Sequence, residues 1–172
     1  MKTFLLNFLM AAAAILFSAG CASYHFGPVN QMVAGEKSIE VLPFNNQTLQ
    51  PRLGDAVTQS LRERLQTDGT YRLATGDAGD IVVTGVITRY RREGLSYLNN
   101  DAATAENYRV DVIAHVTVRE RGSGKLLLNK NVSGYALVNV GADLTDSERQ
   151  ATPLLAEDLA ENIAELLTEG SW

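Results

Sequence analysis

The sequence predicts an α+β domain: two helices packed on one face of a mixed four- to five-stranded sheet, a two-layer sandwich. Three observations carry that expectation. Tyr108, Val110, Val112, Ala114, Val116 and Val118 alternate without a break, the period of a strand with one buried face. Two other segments, near residues 51–68 and 152–169, repeat their apolar residues at helical spacing. The elements follow in the order β-α-β-β-β-β-α, which leaves two helices to cover one sheet.

Ser38 to Phe44, "SIEVLPF", opens the domain as a short strand with Ile39 and Val41 on one face; Pro43 marks its end or an edge. Asn45-Asn46 reads as a turn. The first helix is expected from about Pro51, whose missing N–H suits a first helical position, to Asp68, with Gly69 as its stop. Its stripe is Leu53, Ala56, Val57, Leu61 and Leu65. Tyr71 to Ala74 and Ile81 to Arg92 read as strands, and Glu93 to Asn107 as a long polar loop. The alternating strand follows, its polar side carrying Arg109, Asp111, His115 and Thr117 and so turned to water. "RGSGK", Arg121 to Lys125, is a hairpin turn into a strand from Leu126 to about Val138. Thr152-Pro153 begins the last helix, with Thr152 as candidate N-cap and Leu155, Leu159, Ile163, Leu166 and Leu167 facing inward. A helical turn over Thr145 to Gln150 would precede it, with Pro153 as the break.

With 172 residues, 45% hydrophobic and 20% charged, the chain suits one domain with its own core. Its net charge is −5, and Lys2 is the only charged residue of the first twenty, so the remainder holds 14 basic against 20 acidic residues. That balance, without a Lys/Arg block, argues against nucleic-acid binding. A single cysteine and two histidines, His25 and His115, offer no disulfide and no zinc spacing. No nucleophile elbow, phosphate-binding glycine loop or HExxH segment occurs, so no catalytic residue, metal ligand or cofactor site is expected. One cationic cluster stands out: "TRYRREG", Thr88 to Gly94, places Arg89 and Arg91 on one side of a strand and Arg92 on the other. Guanidinium groups at a strand end are suited to phosphate, and equally to pairing with the surplus acids.

The first twenty residues run basic, apolar, small: Lys2, then "FLLNFLMAAAAILF", then Ser18-Ala19-Gly20. As a helix those 14 apolar-type residues would reach only about 21 Å, short of a roughly 30 Å hydrocarbon core. Residues 1–20 therefore read as a cleaved signal and 21–37 as a linker, with 38–170 the domain. "SAGC" resembles a bacterial lipobox, with Ser18 where Leu usually stands, so Cys21 is the expected lipidation site. Ala22, in place of an inner-membrane-retaining Asp, implies the outer membrane.

"CASYHFG", "IEVLPFNNQT", "RLGDAVTQSLRERL", "DIVVTGVITRYRREGLSY" and "AENYRVDVIAHVTVRERGSGKLL" together resemble the LptE family of lipopolysaccharide-transport lipoproteins. The resemblance implies an outer-membrane lipoprotein on the periplasmic side, seated in the lumen of a large LptD β-barrel and assisting lipopolysaccharide transport to the outer leaflet. It also implies lipopolysaccharide binding by basic loop residues. Here Leu98 to Asp101 and Val140 to Leu144 contain none, which leaves Arg89, Arg91 and Arg92 as the substitutes. "SIEVLPFNN" and "DIVVTG" also resemble the domain shared by CsgG-type channel lipoproteins, the TolB N-terminal domain and LpoB-type activators of peptidoglycan synthases.

Overall fold

The computed structural model describes the backbone of residues 35–98, 101–139 and 144–169, and the side chains of 35–96, 107–139 and 147–169. The signal and lipidation expectations, Cys21 included, lie outside the described residues.

Six strands and two helices follow in order: β1 Ser38–Val41, β2 Asn45–Asn46, α1 Leu53–Asp68, β3 Arg72–Leu73, β4 Ile81–Leu98, β5 Asp101–Glu120, β6 Leu126–Asn139 and α2 Leu144–Glu169. They form one sheet in the order β3-β1-β4-β5-β6, with β2 also paired to β4. β3, β1 and β2 run parallel to their neighbours and β4-β5-β6 are antiparallel, so the sheet is mixed as expected, with slightly more strands.

Both helices lie on one face. Val110, Val112, Ala114, Val116 and Val118 of β5 are buried beneath them, as are Ile81, Val83 and Ile87 of β4 and Val132, Ala136 and Val138 of β6. α1 contributes Leu53, Val57, Leu61 and Leu65; α2 contributes Leu155, Leu159, Ile163 and Leu167. Each such fully buried side chain stabilises the fold by about 1.5–3 kcal/mol. Leu166 is only partly buried, at the rim of the stripe. Two buried contacts thread the crossover from β1 to α1. The Phe44 N–H donates to Thr58 Oγ1 at 2.9 Å, and that hydroxyl donates to the Gly54 carbonyl at 2.7 Å. The Phe44 ring then covers Gly85 of β4, where a Cβ would sit 2.1 Å from a ring carbon.

The structure corrects four local expectations. Asn45-Asn46 is not a turn but a two-residue strand in register with Val86 and Ile87. α1 starts at Leu53, because Arg52 adopts a left-handed conformation (φ 59°) that a helix cannot include; Gly69, at φ 75°, does end it. The polar loop of residues 93–107 is instead a hairpin arm, since β4 continues to Leu98 and β5 begins at Asp101. Backbone pairing needs no apolar alternation, and register shifts after Gly94, Ser96 and Tyr97 erase the period that would have revealed it. Finally α2 runs unbroken from Leu144 through Pro153. Thr152 is no N-cap: its hydroxyl donates to the Glu148 carbonyl at 3.0 Å, inside the helix. Buried Ala151 and Leu155 hold the helix on the sheet on either side of the proline.

α2 approaches β6 at Gly134, where a Cβ would lie 2.7 Å from the Leu159 nitrogen and 2.8 Å from its Cα. Gly134→Ala is expected to lower the urea midpoint. Overpacking costs about 1–3 kcal/mol, more than the roughly 0.4–1 kcal/mol a glycine-to-alanine change gains through the unfolded chain.

At the opposite end of the helices, the Tyr71 hydroxyl donates to the Leu167 carbonyl at 2.9 Å, and burial, aided by the Asp68 charge, pushes its pKa from 10.0 to about 12. The folded state thus favours the neutral phenol. The resulting stability is complete below pH 10 and is lost as pH rises towards 12. Alkaline unfolding should show this loss in the unaltered chain and a smaller one in Tyr71→Phe, although that variant starts out less stable.

The open face of the sheet as candidate functional surface

The face away from the helices is set by a bulge. Ile87 pairs with Ala114 but Arg89 pairs with Ile113, so Thr88 is an extra residue and the side-chain parity of β4 reverses. Before it, odd residues face the helices; after it, even ones do. Arg89, Arg91 and Glu93 therefore point to the open face, whereas Tyr90 and Arg92 point to the helix side.

Three rows cross the open face from β4 through β5 to β6: Glu93–Arg109–Leu137, Arg91–Asp111–Tyr135 and Arg89–Ile113–Ser133. Charges pair along each strand, Arg91 with Glu93 at 2.5 Å and Arg109 with Asp111 at 2.8 Å. The guanidinium of Arg109 also lies 4.0 Å from the centre of the Tyr135 ring, a cation–π contact. Its hydrogen bond to Asp111 raises the Arg109 pKa above its ordinary value. Tyr135 is 44% and Leu137 63% exposed, and both add apolar surface to this end. Nearer the β5–β6 turn the face is polar and bonded to itself: His115 Nδ1 meets Asn131 Oδ1 at 2.8 Å, and Thr117 donates to Asn129 at 3.3 Å. His115 is thus a partly exposed surface residue.

The three sequence-predicted arginines are divided accordingly. Arg92 bonds to Glu148 of α2 at 2.6 Å across the helix side, bracing the start of that helix, with Tyr90 half-buried beside it. Burial, and then the Glu148 charge, raises the Tyr90 pKa. Arg91 is held by Glu93, and Arg89 forms no ion pair among the described residues. The spare cation of the cluster is Arg89.

A second polar cluster, not anticipated from the sequence, lies at the other end of the sheet. Glu40 of β1 is buried, accepts from the Asp77 N–H at 3.1 Å and pairs with Arg121, whose Nε donates to the Gly79 carbonyl at 2.8 Å. Asp80 accepts from both the hydroxyl and the N–H of Ser38, at 2.6 and 2.9 Å, and these bonds lower its pKa. All of its bonds are internal, so the cluster pins the loop before β4 over β1. No three His, Cys, Asp or Glu side chains gather as metal ligands among the described residues. A cleft of about 490 Å³ opens between Pro51, Arg52 and Ala56 on one side and Glu148, Thr152 and Pro153 on the other. No described helix is long and apolar enough to cross a membrane.

The family model for LptE, lipopolysaccharide-assembly, matches residues 36–168, all but the last residue of the helix-and-sheet body. The chain belongs to the LptE family. No curated protein matches it in sequence. Among solved structures, the LptE-family body is similar to a Xanthomonas campestris protein of the DUF330 family (TM-score 0.58, 11% identity, covering 86% of this chain and 94% of that one). It is also similar to a hypothetical protein from Chlamydia trachomatis (0.56, 11%, 79% and 96%) and a minor lipoprotein from Acinetobacter baumannii (0.51, 14%, 77% and 92%). At such identities the likeness is one of fold. Within this LptE-family chain, the Arg109–Tyr135 contact was missed in sequence because its partners are 26 residues apart; the visible signal was only that Arg109 and Asp111 share the wet side of β5.

Proposed function

We propose that this chain is a non-enzymatic outer-membrane lipoprotein that seats within the lumen of an LptD β-barrel, assists its assembly and supports lipopolysaccharide transport. The family match over residues 36–168 carries the reading. The open sheet face supports it, since a water-filled barrel presents a polar interior and mixed polar–apolar surfaces suit such a partner. Acyl chains on Cys21 would hold the body at the periplasmic side; one chain anchors marginally and several anchor durably. Lipopolysaccharide phosphate would meet Arg89 first, with Arg91 released from Glu93 to join it and Arg92 keeping α2 in place.

Pull-down from detergent-solubilised membranes should recover a large β-barrel. Recovery of a peptidoglycan synthase, or of a ring of identical copies, would overturn the assignment. In the same preparation Cys21→Ala should carry no acyl label; label that persists would place the modification elsewhere. Arg89→Ala should weaken lipopolysaccharide capture about tenfold, the worth of one charge-assisted hydrogen bond, and reduce its salt sensitivity. Arg92→Ala should leave capture nearly unchanged, and equal losses in both variants would contradict this division.

A further inference from the structure

β6 is the last strand on its side of the sheet, and at 14 residues it is long for an edge. With Ser133 and Tyr135 bonded away from β5, the alternation of a strand turns the odd-numbered backbone groups of residues 129–139 outward, where an arriving strand would bind. Two of those outward groups are already occupied, and by side chains of α2. The Tyr135 N–H donates to Asp158 Oδ2 at 2.9 Å, and the Ser133 carbonyl accepts from Asn162 Nδ2 at 3.0 Å. Asp158 and Asn162 are one helical turn apart and are themselves bonded at 3.3 Å, so they act as a unit. Gly134, between the two guarded residues, is what lets α2 come close enough to reach over the edge. Further along β6, Lys130 is exposed, a charge of the kind that discourages pairing at an edge.

We infer that Asp158 and Asn162 form a built-in edge guard: they fill the hydrogen-bonding positions that a second copy of β6 would otherwise take, and so keep this sheet from growing by strand addition. The guard does not depend on the proposed function. A body that works beside an assembling β-barrel would nonetheless need it, because unpaired strands of the partner would compete for the same edge.

The test uses the full-length chain in detergent, with protein mass per particle measured by light scattering after subtraction of the detergent. Asp158→Ala with Asn162→Ala should raise that mass above the unaltered chain's, to twice its value for an edge-paired dimer. Adding Ser133→Pro should bring it back, because proline removes an outward N–H that β5 does not use. Unchanged mass in the double variant, with its circular dichroism intact, would overturn the inference. So would association that Ser133→Pro fails to reverse, which would point to a loosened core. If the double variant does not fold, Asp158→Ala read against Asp158→Asn decides. Asn keeps an acceptor for the Tyr135 N–H, so association with Ala alone supports the guard and equal behaviour of the two overturns it.

Discussion

The close seat of α2 on β6 at Gly134 is the contact on which the rest of the structure depends. With no side chain at that position, the helix backbone comes down onto the strand, and Leu155, Leu159, Ile163 and Leu167 all reach the core. The same approach puts Asp158 and Asn162 over the edge of the sheet and brings Glu148 within reach of Arg92. α1, on the same side, completes the cover through Leu53, Val57, Leu61 and Leu65. Burial is thereby concentrated on one face, and the other face of β4-β5-β6 mixes polar side chains with Ile113, Tyr135 and Leu137.

That one-sidedness also arranges the charges. The acids of α2 crowd the helix layer, Glu157, Asp158, Glu161 and Glu165 among them, while Arg89, Arg91 and Arg109 stand on the open face. Most charges of the open face are paired with a neighbour two residues away on the same strand, in exposed positions where water screens them and little stability results. Their larger consequence is that, of Arg89, Arg91 and Arg92, Arg89 is the one without an ion pair among the described residues. The bulge at Thr88 makes this possible, because without the parity change Arg89 would stay with the odd residues that face the core.

The architecture was legible in the sequence wherever one face of an element is buried. β5 alternates because Val110, Val112, Ala114, Val116 and Val118 are buried beneath the helices, and both helical stripes were visible for the same reason. Simple alternation separated Arg89 and Arg91 from Arg92, whereas the face each takes is set by the bulge at Thr88, which leaves no trace in the sequence pattern. What escaped the sequence has a common physical cause: those features are held by backbone or by long-range contacts that leave no periodic trace. The hairpin arm is paired strand to strand through register shifts, β2 is two residues long, and α2 carries Pro153 between the buried anchors Ala151 and Leu155. Arg52 departs from helical geometry in a way that Pro51 alone could not reveal. The Glu40–Arg121 cluster joins residues 81 apart, beyond any local pattern.

The helices seal one face of this sheet and leave the other accessible to solvent. Cysteine substitutions along β5, reacted with a small membrane-impermeant thiol reagent in the purified protein, test it most directly. Positions 111, 113, 115 and 117 should label, and 112, 114, 116 and 118 should remain protected. Labelling of both sets alike, or protection of both, would contradict the account.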